Sequence, residues 1–122
     1  MDTFEILSQL CSAAGVSGAE GSAAATAAKL LEEYGEVTLD NALGSVICKV
    51  GSWEDGKPVV LLDAHIDEIG MIVTYITEDG FLKISGCGGL DTRLLLAQQV
   101  TVYGKEKLTG IVLSLIHISE PT

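Results

Sequence analysis

LLDAHIDEIG, residues 61–70, is the stretch on which both fold and function turn. An apolar run from Val59 to Ile66, the longest of this half of the chain, reads as a buried strand, and it carries Asp63, His65 and, just past its end, Asp67 and Glu68. Burying polar groups without hydrogen-bond partners costs roughly 2–7 kcal/mol each, so these side chains must be held or used. Alternation along a strand puts Asp63, His65 and Asp67 on one face, with Glu68 on the other or beyond the strand end. Adjacent Asp67 and Glu68 therefore make a poor dyad for glycoside cleavage, which needs two carboxyl groups facing across a gap of ~5–9 Å. A His-X-Asp arrangement suits a metal better. A neutral imidazole is a good ligand for zinc or cobalt, and a carboxylate at its second nitrogen fixes the tautomer. A strand end opening into a crevice is also where α/β sheets bind ligands. Spacing alone leaves a second reading standing, in which His65 is a hydrogen-bonded core histidine and the acids are solvated at a strand end.

Outward from that stretch, the chain reads as helices and strands mixed, then as strands alone. Asp2 caps a first helix, with Glu5 completing a capping box and Phe4, Leu7, Leu10, Cys11 and Ala14 on one face. Gly15 ends it. GVSGAEG is a loop, and a second helix runs from Ala19 or Ser22 to Tyr34, closed by Gly35 at the C′ position. Strands are expected at Val37–Asp40 and Ser45–Val50 around the turn NALG, then at Val59–Ile66. Beyond residue 70, MIVTYI and FLKIS flank TEDG, whose Asp79-Gly80 is a hairpin signal. GCGG is a loop, DTRLLLA one helical turn or a loop, and QQVTVYG and LTGIVLS are two further strands around KEK. The change of pattern near residue 70 marks the expected boundary between an α/β layer and a small β-barrel or sandwich.

The totals narrow the function classes. At 122 residues and 48% hydrophobic the chain fits one modest domain with a core. Its net charge of −10, from 17 acids against 7 bases, argues against nucleic acid or an anionic membrane as partner. Cys11, Cys48 and Cys87 form no CxxC pair, so a zinc ribbon or a thioredoxin-type site is not indicated. MDTFEILSQL lacks the basic and apolar regions of a signal peptide, and no apolar run approaches the ~20 residues of a membrane span. A reduced, cytoplasmic location is the expectation.

Several stretches together resemble one family. AHIDEIG (64–70) resembles the AHxDEIG signature of the glutamyl aminopeptidase family, dinuclear metallopeptidases that form tetrahedral particles. GVSGAE (15–20) is similar to that family's PSGxE loop, with Val16 where proline is common. LDNALGSVICKVG (39–51) is similar to its xDxLGN hairpin, and residues 79–112 resemble its GFLxxxxxGGxDxRxLxGQxV stretch, so the likeness runs from about residue 4 to 112. It implies that His65 is a ligand to one of two divalent metals, zinc or cobalt, and that Asp67 supports it as a catalytic-site residue. Glu68, Ile69 and Gly70 match the signature without an assigned role. The implied architecture is an N-terminal part of a mixed-sheet α/β catalytic domain (residues 1–70), then the start of an inserted β-barrel-like dimerisation domain (71–112), where Asp91 and Arg93 are structural, as an ion pair. The implied activity is removal of N-terminal residues from peptides by a homo-oligomer. The bridging carboxylate, the glutamate base and the remaining ligands of that family lie after the inserted domain.

Residues 113–122, LSLIHISEPT, depart from the family pattern and match a read-through translation of sequencing-adapter DNA. On that reading His117 is no ligand and Glu120 no base, and the 122-residue chain by itself is expected to have no peptidase activity and to bind metal weakly. Alternatives remain open at this point: a glucanase, a label that relatives of the family have carried; a deacylase-type hydrolase using the same metal site; or a non-catalytic assembly module in which residues 71–112 do the work.

Overall fold

The structure, a computed structural model, describes residues 2–113. His117 and Glu120, with residues 114–122 as a whole, lie outside the described residues. The chain divides into two compact units, Met1–Gly88 and Gly89–Thr122.

The first unit opens with α1 (Thr3–Ser12), whose N-cap Asp2 accepts a hydrogen bond from the Glu5 backbone N–H at 2.8 Å. α2 (Gly21–Leu31) follows. It supplies the buried apolar residues of the described chain, Ala23, Ala24 and Ala28. Alanines let helix and neighbours approach closely, and α2 packs against α1 and against the hairpin of β1 (Glu36–Leu39) and β2 (Val46–Lys49). α2 ends about a turn short of the expected Tyr34, and Gly35 does not adopt the left-handed cap conformation. Its lack of a side chain has another cause: a Cβ there would sit on the Lys49 carbonyl oxygen, 2.0 Å away.

Local chemistry closes each hairpin. Between β1 and β2, the Asp40 carboxylate accepts from the Ala42 and Leu43 N–H groups at 3.1 and 3.0 Å, an Asx turn that fixes the register Leu39↔Val46. β3 (Gly70–Ile76) pairs antiparallel with β4 (Leu82–Cys87) through a turn in which the Gly80 N–H donates to the Thr77 carbonyl. Gly80 sits at φ +84°, as a turn of this length requires. A bulge between Val73 and Tyr75 leaves Thr74 outside the ladder, its hydroxyl donating to the Lys83 carbonyl at 3.2 Å. In the second unit a single 3₁₀ turn (Thr92–Leu94) leads into β5 (Gln99–Tyr103) and β6 (Lys107–Ile111), again an antiparallel pair. The described residues thus form three two-stranded antiparallel sheets with two helices, a mixed α/β chain.

The strand expected over Val59–Ile66 is not formed. The segment is irregular, and no segment among the described residues pairs with it. A β-strand exists only through a neighbour that completes its backbone hydrogen bonds; apolar composition alone cannot supply one. Val60, Leu61 and Leu62 are accordingly 83, 83 and 91% exposed.

Candidate functional site

Residues 63–68 leave the irregular run and reach the first ordered contact at Glu68. There the chain forms a parallel bridge with Val16: the Glu68 N–H donates to the Gly15 carbonyl at 2.8 Å and the Ser17 N–H donates to the Glu68 carbonyl at 3.4 Å. The Glu68 carboxylate adds a third bond, accepting from the Gly15 N–H at 3.3 Å. Gly15 is buried, and a Cβ on it would meet the Ala23 Cβ of α2 at 2.9 Å and the Ile66 carbonyl at 3.5 Å. The glycine loop after α1 is therefore the seat on which the end of the apolar run rests.

Immediately before that seat, His65 and Asp67 meet. His65 Nδ1 lies 3.1 Å from Asp67 Oδ1 and 3.2 Å from the Asp67 carbonyl oxygen. Both neighbours are oxygens that accept hydrogen bonds, so in a neutral imidazole the arrangement favours the tautomer with its proton on Nδ1. Nε2 is then the ring's lone-pair nitrogen, and it has no partner among the described residues. The His65 side chain is 86% exposed and that of Asp67 42%. This is the arrangement of a metal-binding imidazole: one nitrogen fixed by a carboxylate, the other open. Asp63, on the same stretch, is exposed and joins neither. One imidazole is one ligand, and no group of three or more His, Cys, Asp or Glu side chains converges among the described residues. His65 could supply one ligand to a metal ion, and no further ligands converge on it among the described residues.

Asp91 and Arg93, in the second unit, form a self-contained pair. Arg93 Nε donates to Asp91 Oδ1 at 2.9 Å, a terminal guanidinium nitrogen to Oδ2 at 2.7 Å, and the Arg93 backbone N–H to Oδ1 at 3.1 Å. The guanidinium first, and the backbone N–H second, hold the Asp91 carboxyl below its usual range, while Asp91 raises Arg93. The pair shapes the 3₁₀ turn, with Asp91 as its N-cap. The seat made by Gly15 and Glu68 was not foreseen from sequence, because a contact across 53 residues leaves no local pattern; its one trace was that both stretches carry the family resemblance.

Comparison with known proteins gives a consistent picture. The family described as M42 glutamyl aminopeptidase matches residues 44–122. The provisionally named aminopeptidase FrvX of Escherichia coli (strain K12) is 35% identical over 112 residues, covering 89% of this chain and 30% of FrvX. The lysyl aminopeptidase of Pyrococcus furiosus is 31% identical over 105 residues, covering 84% of this chain and 29% of its own length. Among solved structures, the TET aminopeptidase from the marine sediment archaeon Thaumarchaeota archaeon SCGC AB-539-E09 superposes with a TM-score of 0.82 at 35% identity, over 97% of this chain and 33% of that one. The chain spans about 30% of the length of the curated relatives it matches.

Proposed function

The chain belongs to the M42 glutamyl aminopeptidase family, and from that premise we infer that the protein it represents is a metal-dependent aminopeptidase removing N-terminal residues from peptides. The observation that carries this reading is the His65–Asp67 contact, with Nδ1 tied to the carboxylate and Nε2 left open. His65 would hold one of two divalent ions, zinc or cobalt, through Nε2. Asp67 acts on the ring alone: it keeps the proton on Nδ1, turns the imidazole and strengthens Nε2 as a donor. The chemistry such ions supply when bound is polarisation of the scissile carbonyl and a lowered pKa for water, toward ~7. The general base and the remaining ligands belong to segments outside residues 2–113, and so does the pocket that selects the N-terminal residue.

Residues 71–112 are read as the start of an inserted, barrel-like β-rich domain used in assembly. The succession of hairpins β3–β4 and β5–β6 supports the β-rich part of that reading, and PhTET1-12s, a dodecamer that superposes on 98% of this chain with a TM-score of 0.79, supports the assembly part. No helix among the described residues is long and apolar enough to cross a membrane. Cys11, Cys48 and Cys87 are free thiols, and a cytoplasmic location is part of the same proposal.

The test uses the product of the uninterrupted gene. It should release aniline from aminoacyl-anilides, lose that activity on treatment with a chelator and regain it with zinc or cobalt. Undiminished activity after complete metal removal, or hydrolysis of cellulosic substrate in place of the anilides, would defeat the reading.

A further inference from the structure

We propose that Glu68 is a positioning residue for the metal-binding imidazole, acting through the Gly15–Ser17 loop. The inference rests on the reading of His65 as a ligand. Between His65 and the rest of the first unit, the described chain makes no strand pairing on the N-terminal side, since the run from Val59 is unpaired. Among the described residues, the chain beside the His65–Asp67 pair is therefore held on its C-terminal side. That grip is Glu68. Its N–H, carbonyl and carboxylate all bond to the Gly15–Ser17 segment, at 2.8, 3.4 and 3.3 Å. The loop is itself wedged: Gly15 lies between Ala23 of the buried face of α2 and the Ile66 carbonyl, which belongs to the residue between His65 and Asp67. Two residues on, Gly70 leaves room for Val16, whose Cγ2 would lie 2.4 Å from a Cβ at that position. Helix α2, Gly15 and Glu68 thus form a continuous path of contact from the alanine core to the backbone that carries both site residues.

The two backbone bonds need no particular side chain at position 68. The carboxylate bond does, because it satisfies the N–H of the buried Gly15, which is otherwise left without an acceptor. What the position requires is an acceptor oxygen at the reach of a glutamate, and charge is secondary. Glutamine keeps that reach and one acceptor oxygen; aspartate keeps the charge but is shorter by one methylene.

The test compares Glu68→Asp, Glu68→Gln and His65→Ala in the full-length protein, using the zinc ion alone as probe in a chelator competition, and amide hydrogen exchange at Gly15. Glu68→Asp is expected to speed exchange at Gly15 and to weaken zinc binding by about tenfold, the lower end of the range for groups that orient a ligand. Glu68→Gln should stay close to wild type in both. Wild-type zinc affinity in the aspartate variant, or a glutamine variant as weak as the aspartate one, overturns the proposal. His65→Ala separates the two levels: if it loses zinc while Glu68→Asp does not, only the positioning role fails, and if it binds zinc normally, the ligand reading fails with it.

Discussion

Two neighbouring apolar runs meet opposite fates in this chain. Gly70–Ile76 finds a partner within its own hairpin and pairs from Gly70↔Cys87 to Ile76↔Leu82. Val59–Ile66, as apolar by sequence, pairs with nothing among the described residues and exposes Leu62 almost completely. Composition does not separate them; the distance to a partner does. A hairpin carries its neighbour a few residues away, joined by a turn whose chemistry is local. A strand in the middle of a mixed sheet takes neighbours from remote parts of a chain. In this protein the unpaired run, with no neighbour among the described residues, carries His65 and leads to Asp67, and the paired run carries neither.

The largest effect should follow from striking the unpaired run. In the full-length protein, His65→Ala is expected to lower turnover by about a thousandfold or more, since a bound metal contributes several kcal/mol of transition-state stabilisation and each 1.36 kcal/mol is tenfold. Thr74→Ala, at the exposed bulge of the paired run, should leave turnover within about twofold, as surface substitutions away from such features usually shift stability by at most ~0.5 kcal/mol. Steady-state kinetics on aminoacyl-anilides decide this. Comparable losses in both variants would remove the contrast.

Leu62→Lys tests the same contrast through packing, and its sign should depend on chain length. In the 122-residue chain, with Leu62 91% exposed, the substitution should suppress self-association, because an exposed, extended apolar run is a template for pairing with other copies. In the full-length protein it should destabilise by about 3 kcal/mol or more, the usual cost of losing a buried leucine. Light scattering on the first and denaturant unfolding of the second are the measurements. A Leu62→Lys variant that is neutral in the full-length protein would mean that the run stays unpaired there too. The 122-residue chain should also show no peptidase activity, since its described residues offer a single imidazole ligand and no converging group of three.

The division between what sequence foretold and what it did not follows the same line. The Asp2 cap, the Asp40 turn and the Asp79-Gly80 hairpin were all readable, because donor and acceptor lie within a few residues of each other. The Asp91–Arg93 pair, two residues apart, was expected and is present. Period and apolarity say how a strand over Val59–Ile66 would sit, not whether its neighbour is there. A local capping rule cannot account for Gly35 for a related reason: its cause is a close approach to Lys49, 14 residues on. At the site, the nearness of His65 and Asp67 follows from their spacing, whereas the Gly15–Glu68 seat does not.

The paired run yields a smaller prediction. Gly80 turns the β3–β4 hairpin at φ +84°, and nothing lies within 4 Å of where its Cβ would be. Gly80→Ala therefore meets no steric obstacle in space, only the backbone penalty of a left-handed conformation, about 1–2 kcal/mol. Since the hairpin is closed by its own residues, this cost should be the same in the 122-residue chain and in the full-length protein. Amide exchange at Thr77, whose N–H donates to the Phe81 carbonyl at 2.8 Å, reports it in both. A cost that appears only in the longer protein would show that the hairpin, too, leans on remote partners.

The smallest effect sharpens the comparison at its most local end. Asp91 and Arg93 are solvent-exposed and satisfy each other within one 3₁₀ turn, so their interaction should be indifferent to the rest of the protein. Arg93, chiefly through its side chain and then through its backbone N–H, lowers the Asp91 carboxyl from its ordinary value of 3.8. A folded-state pKa below the unfolded one means that the pair's small stabilisation is fully present above about pH 4 and is lost as the pH falls through the folded value. Salt should weaken it further, since an exposed ion pair is screened. A carboxyl-detected NMR titration should therefore place the Asp91 midpoint below 3.8 in the native chain and closer to that value in Arg93→Ala, where only the backbone bond remains. The same shift is expected in the 122-residue chain. An Asp91 that titrates normally there would mean that even a contact two residues long needs the remainder of the protein to form, so that hairpins and the Val59–Ile66 run would not differ in their dependence on remote partners.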